Sequence, residues 1–178
     1  KGELKFFRPA TASGFGELLI NDEILVDSGP LAAAQAKYSD GLYWIKDRDN
    51  TASHQLVDTV RGTSNALKSD SNAIEATYAA PTGDCVAWCW KGGGTAVSNG
   101  NGSLTSSVSA NTDAGFSIVS YTGHPSSANS TVGHGLNSAP EFVITKERGN
   151  TRNWAVYHVG SGNNNILFLK VHFGKCFF

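Results

Sequence analysis

Leu42-Tyr-Trp-Ile-Lys-Asp-Arg-Asp-Asn-Thr-Ala-Ser-His-Gln-Leu-Val-Asp58 and Phe142-Val-Ile-Thr-Lys-Glu-Arg-Gly-Asn-Thr-Arg-Asn-Trp-Ala-Val-Tyr-His158 align without a gap at an offset of 100 residues. Lys46 matches Lys146, Arg48 matches Arg148, and Asn50-Thr51 matches Asn150-Thr151. Ordinary residue usage, at roughly 5–6% per position, predicts about one identity in a window of this length. Conservative pairs surround the four identities: Leu42/Phe142, Trp44/Ile144, Asp47/Glu147 and Leu56/Val156. Each copy is a β-rich apolar run, a polar Lys-x-Arg-x-Asn-Thr turn and a second β-rich run. That pattern is a β-hairpin with a basic shoulder.

The remainder of the chain fits the same architecture. Its 178 residues suffice for one large β-domain or two small ones with a real core. Hydrophobic residues make up 40%, which excludes a disordered chain, and charged residues only 16%, below the usual quarter. The polar surface must therefore come from Ser, Thr, Asn and Gly, a balance suited to extracellular or virion β-proteins with many turns. A net charge of −1 gives no electrostatic footprint for nucleic acid. No apolar run approaches the ~18 residues of a membrane span. There is no signal peptide and no initiator Met, so a processed or truncated N-terminus is expected.

Read in order, Glu17–Ile20 and Glu23–Val26 form a candidate hairpin around Asn21-Asp22, and the Ala-rich Leu31–Lys37 suits one or two helical turns. The first repeated hairpin follows, then a polar stretch from Thr63 to Thr77 that reads as loop with a short strand. Cys85-Val-Ala-Trp-Cys-Trp90 is apolar on both faces, with Val86, Trp88 and Trp90 pointing one way, and is expected to be a central, doubly covered strand. Its tryptophans suit a core, or a platform on which sugars stack. Lys91–Gly102 is a linker or long hairpin tip. Strands are expected at Leu104–Ala110, Phe116–Tyr121 and Ile166–Phe173. The fold class is all-β: an antiparallel β-sandwich or jelly roll, with two repeated β units. The division is residues 1–91, a Gly-rich segment at 92–102, and an incomplete second unit at 103–178.

Candidate chemistry is sparse. Cys85, Cys89 and Cys176 are odd in number, and four residues along one strand place the first two about 13 Å apart, too far for a disulfide. No nucleophile elbow, phosphate loop, HExxH or CxxC pattern occurs, so neither a catalytic set nor a metal is assigned. Asp47, Asp49 and Asn50 offer calcium-type oxygen ligands without the rest of a calcium loop; a solvated turn is the competing reading. His134, inside Gly-His-Gly, reads as a turn histidine or a ligand contact. Lys46/Arg48 and Lys146/Arg148 alternate, so each pair would share one strand face. There they would discourage edge pairing or meet an acidic partner surface.

The motifs LYWIKDRDNTASHQLVDTVRG, EATYAAPTGDCVAWCWKGGG, SLTSSVSANTDAGFSIVSYTG and STVGHGLNSAPEFVITKERGNTRNWAVYH, over about residues 38–160, resemble a repeat domain of marine tailed phages. That domain occurs in tail, tail-fibre and other virion proteins of cyanophages and their relatives. The resemblance implies a concanavalin-A/laminin-G-like jelly roll and a structural or adhesive role in the extracellular virion, with no catalytic residues. Its implied partners are other virion proteins, copies of itself and host-surface glycans. Lys46, Arg48, Lys146, Arg148, Trp154 and Tyr157 are the candidate glycan or partner contacts. The competing expectations are a stand-alone lectin-like module and a glycan depolymerase. The family unit closes with a strand like Val86–Trp90. Thirty residues separate Asp58 from Trp88, and the same count from His158 falls at position 188, beyond Phe178. An unclosed sheet edge and assembly by strand pairing are therefore expected.

Overall fold

The structure, a computed structural model, describes residues 38–82, 84–123 and 129–169, together with Gln35. Period-2 patterning yields eleven strands among them. They are β1 (Gly41–Asp47), β2 (Gln55–Asp58), β3 (Asn65–Lys68), β4 (Ala76–Thr77), β5 (Cys85–Lys91), β6 (Val97–Asn99), β7 (Ser106–Asn111), β8 (Phe116–Tyr121), β9 (Phe142–Thr145), β10 (Trp154–His158) and β11 (Leu167–Leu169). A short 3-10 turn covers Val159–Ser161. Gln35 is helical; the rest of the Ala-rich stretch and the candidate hairpin before it lie outside the described residues. Every pairing between named strands is antiparallel.

Three sheets result: β4-β3-β2-β1-β5, β11-β10-β9 and β6-β7-β8. One face of the five-stranded sheet carries Tyr43, Ile45, Val57, Ala66 and Cys89, a cluster flanked by Tyr38, Tyr78 and Ala87. Its opposite face carries Leu56 and Leu67, which pack on Trp154 of β10 with Leu42, Trp44, Ile144 and Leu169 around them. Two sheets thus meet face to face through interdigitating side chains, the arrangement of a β-sandwich.

The repeat is structural as well as textual. Leu42 lies opposite Asp58, Tyr43 opposite Val57, Trp44 opposite Leu56 and Ile45 opposite Gln55. In the second hairpin Phe142 lies opposite His158, Val143 opposite Tyr157, Ile144 opposite Val156 and Thr145 opposite Ala155. The two registers are identical at the offset of 100.

Several expectations change. Among the described strands β5 pairs with β1 and stands last in its sheet, and Val86, Ala87, Trp88 and Trp90 are half-buried. The stretch from Thr63 to Thr77 contributes two strands, β3 and β4, instead of one. Of the two readings of the Gly-rich segment 92–102, the structure has the hairpin: it contains β6, paired to β7. A Cβ at Gly93 would lie 1.8 Å from the Ala110 carbonyl oxygen, so a side chain there would force the two segments apart. Among the described residues no helix is long and apolar enough to cross a membrane.

Candidate functional site

The Lys-x-Arg-x-Asn turns are built alike because the same donors and acceptors recur. Lys46 Nζ folds back onto the carbonyls of Asp47 and Asn50, the latter at 3.1 Å. Lys146 Nζ reaches the carbonyls of Glu147 at 2.6 Å and Asn150 at 3.3 Å. The acid after each lysine closes the loop from the other side. Asp47 accepts from the backbone N–H of Asp49 and Asn50, both at 3.0 Å, and from the Asn50 amide. Glu147 accepts from the Asn150 amide. Each turn is therefore a lysine staple over an acid-capped loop, and both lysines are spent on backbone carbonyls that water would otherwise solvate.

The expected same-face pairs of cations do not form. β1 ends at Asp47 and β9 at Thr145, so Arg48 and Arg148 lie in the turns, off the strand. Arg48 is exposed. Arg148 instead binds Glu75 through Nε at 2.9 Å and Nη2 at 2.6 Å, with Nη1 3.3 Å from Ser120 Oγ. Glu75 also accepts from Arg61 Nη1 at 2.6 Å, and Arg61 pairs in turn with Asp58. Burial opposes ionisation of Glu75, yet the hydrogen bonds from Arg148 and Arg61 and their charges outweigh it and hold its carboxyl below the usual range. This chain of charges ties the second hairpin's turn to the first repeat.

Trp154 differs from its expected role as a sugar contact. It is 4% exposed, in the core between sheets, and its indole N–H is shared between the carbonyls of Lys68 at 2.9 Å and Ser71 at 3.1 Å. Neither ring face is available for stacking. Tyr157 is half-buried and donates from its hydroxyl to Asn163 Oδ1 at 3.0 Å. Lys146 has its pKa lowered by burial, partly offset by Glu147.

A different set of aromatics was accessible from the Trp88/Trp90 spacing. Register puts Trp90 opposite Leu42 and Trp88 opposite Trp44. Trp44 meets Trp88 edge-on at 6.4 Å and donates from its indole N–H to His54 Nδ1 at 2.9 Å. The His54 ring lies at 13° to that of Trp88, and Trp90 stacks with Phe116 of β8 at 6.4 Å. All five rings are half-buried. Burial keeps the His54 pKa below its ordinary value. Sequence reading missed Trp44, His54 and Phe116 as members because they come from three separate segments.

The remaining candidates are structural. Cys85 and Cys89 are buried, the Cys89 thiol pushed up to about 11 by burial, and Cys176 lies outside the described residues. His134 Nδ1 accepts from the backbone N–H of Leu136, which makes it a turn histidine. The Asp47 and Asp49 carboxylates accept N–H donors, Asp49 from Asp84 at 2.8 Å. Among the described residues no group of three or more His, Cys, Asp or Glu could hold a metal ion.

Comparison with known families gives one match, made twice. A family described as a domain of unknown function, DUF7483, matches residues 27–83 and again residues 77–173. The chain belongs to this family. No curated protein and no solved structure matches. The first matched stretch of the family holds β1 to β4 and stops short of β5. The second contains β5 and runs through β11.

Proposed function

We propose that this chain is a non-enzymatic structural component of a tailed-phage virion, from a tail, a tail fibre or a capsid-associated appendage. Its partners are copies of itself and other virion proteins in the extracellular particle, and the concanavalin-A/laminin-G-like jelly roll is part of the same proposal. The observation that carries it is the doubled hairpin. One register is used twice, and the most distinctive residues of the motif staple turns or bolt one repeat to the other. Repetition of a self-stapled unit serves assembly, in which each copy presents the same edges to its neighbours. The resemblance of the four quoted motifs to phage virion repeats supports the same reading.

Mass spectrometry of density-gradient-purified particles from cells carrying the gene tests this. Recovery of the chain at stoichiometric level in particles is expected. Its confinement to the soluble lysate would overturn the reading.

A second reading, a lectin-like contact with host-surface glycans, is favoured by the half-buried array of Trp44, His54, Trp88, Trp90 and Phe116. Aromatic faces beside a hydrogen-bonding imidazole suit the apolar face of a sugar ring. A glycan array compares wild type with Trp88→Ala and Trp154→Phe. Loss of signal in the first alone places sugar at the array, and no signal from wild type removes this reading.

A further inference from the structure

β1 and β9 occupy equivalent places in equivalent hairpins, but among the described residues only β1 of the two is paired on both sides. The outward edge of β1 is filled by β5, with Leu42 opposite Trp90, Trp44 opposite Trp88 and Lys46 opposite Val86. β9 pairs with β10 alone among the described strands. The direction of its backbone groups follows from two matching bonds. Thr59 N–H donates to the Gly41 carbonyl at 3.1 Å, and Val159 N–H to the Glu141 carbonyl at 2.8 Å. Polar groups alternate sides along a strand, so those of Phe142 and Ile144 point away from β10, as those of Leu42 and Trp44 point to β5.

Side chains report the same vacancy. Tyr43 and Ile45 are 0% and 1% exposed, whereas no residue of β9 is buried and Phe142 is 55% exposed. An open apolar edge of this kind is a template for strand addition.

We infer that the free edge of β9 binds an antiparallel strand of the β5 type, supplied by another unit of the same family. The first hairpin shows what such an edge takes: an apolar strand with large aromatics opposite positions 42 and 44 and small residues opposite 43 and 45. The family match shows where it comes from. β5 lies outside the first matched stretch and inside the second, yet it completes the sheet of the first. Each unit's leading strand thus closes the hairpin of the unit before it, and β9 is the next socket in that series. One difference sets the register. Gly41 lets Trp90 approach so closely that a Cβ would lie 2.1 Å from its carbonyl oxygen, and Glu141 stands at the equivalent place. Pairing at β9 therefore stops at Phe142.

This inference deepens the assembly reading and rests on it for the biological setting, but its test is independent of any particle. A biotinylated peptide of residues 84–92, carrying Cys85→Ser and Cys89→Ser, is titrated against the full chain by biolayer interferometry. Mass photometry follows oligomeric state in parallel. Saturable one-to-one binding is expected, weakened about tenfold or more by Phe142→Pro, which removes one outward N–H and the exposed ring. Proline is tolerated on an edge strand, and an unchanged denaturation midpoint verifies the fold. Phe142→Lys, which keeps the N–H but charges the edge, is expected to weaken binding as well. Absence of binding overturns the inference, as does binding indifferent to both variants. A dimer dissolved by Phe142→Pro and untouched by the peptide also overturns it, because β9 would then pair with β9 of a second copy. Peptide binding by a chain absent from particles would remove the virion reading and leave the socket.

Discussion

The two hairpins share a register, a turn and four identical residues, yet one is the centre of a core and the other the margin of a sheet. In the first, Tyr43, Ile45 and Val57 are buried to within 1%. In the second, the equivalent Val143, Thr145 and Tyr157 are half-buried or exposed. The turn chemistry cannot cause this difference, because both lysine staples form. Neighbours cause it: β1 has β5 beside it, and Cys89 and Ala87 of β5 join the cluster around Tyr43 and Ile45. A hairpin motif thus specifies its own register and turn, while its burial depends on what the rest of the chain lays against it.

Substituting equivalent positions separates these contributions. Tyr43→Ala removes a fully buried ring whose hydroxyl donates to the Tyr38 carbonyl at 2.5 Å. A loss of about 3–5 kcal/mol is expected in chemical denaturation. Val143→Ala, at the equivalent place, is expected to cost less than about 1 kcal/mol, since little area leaves the core. Equal costs would break the comparison and mean that the open face is covered in solution.

The next effect lies in the charge chain between repeats. Glu75→Ala takes the acceptor from Nη1 of Arg61, whose side chain is 8% exposed and keeps Asp58 and the Leu56 carbonyl, and a cost of about 1–3 kcal/mol is expected. It carries a pH signature. The folded Glu75 carboxyl titrates below its ordinary 4.5, so its contribution is complete above that value. It is lost as pH falls through the lower folded value. The stability difference between wild type and Glu75→Gln should therefore shrink below about pH 4.5, and a constant difference down to pH 2 would contradict the ion-pair account.

Smaller still are the staples. Lys46→Met and Lys146→Met each lose two backbone-carbonyl acceptors, and about 0.5–1.5 kcal/mol is expected from each. Hydrogen exchange at the turn amides should rise in both; a rise in only one would show that the shared turn is not equally made. Smallest is the arginine pair. Arg148→Ala breaks an ion pair in which Arg148 is 42% exposed, worth about 0.2–1 kcal/mol, while Arg48→Ala should change nothing measurable. A measurable effect of Arg48→Ala on stability would mean that the two arginines act alike.

Strand positions were legible because apolar alternation and turn residues are local signals. β5 and β8 fall where Cys85–Trp90 and Phe116–Tyr121 placed them, and the 100-residue offset held down to individual residue pairs. Misreadings occurred where a side chain's partner is distant in sequence. Trp154 looked like an exposed sugar contact, but its partners Lys68 and Ser71 lie more than 80 residues away. Arg148 looked like the twin of Arg48, but Glu75 claims only one of them. β5 is apolar on both faces: Cys89 and Ala87 join the Tyr43 cluster on one, and Trp88 and Trp90 enter the aromatic array on the other.

The sequence by itself determined the all-β class and the repeated hairpin with its polar turn, because each depends on residues a few positions apart along the chain. Tertiary structure alone decided which hairpin became core, which tryptophan became buried and which described strand pairs on one side only. Those outcomes follow from what packs across the sheets, where contacts bridge tens of residues.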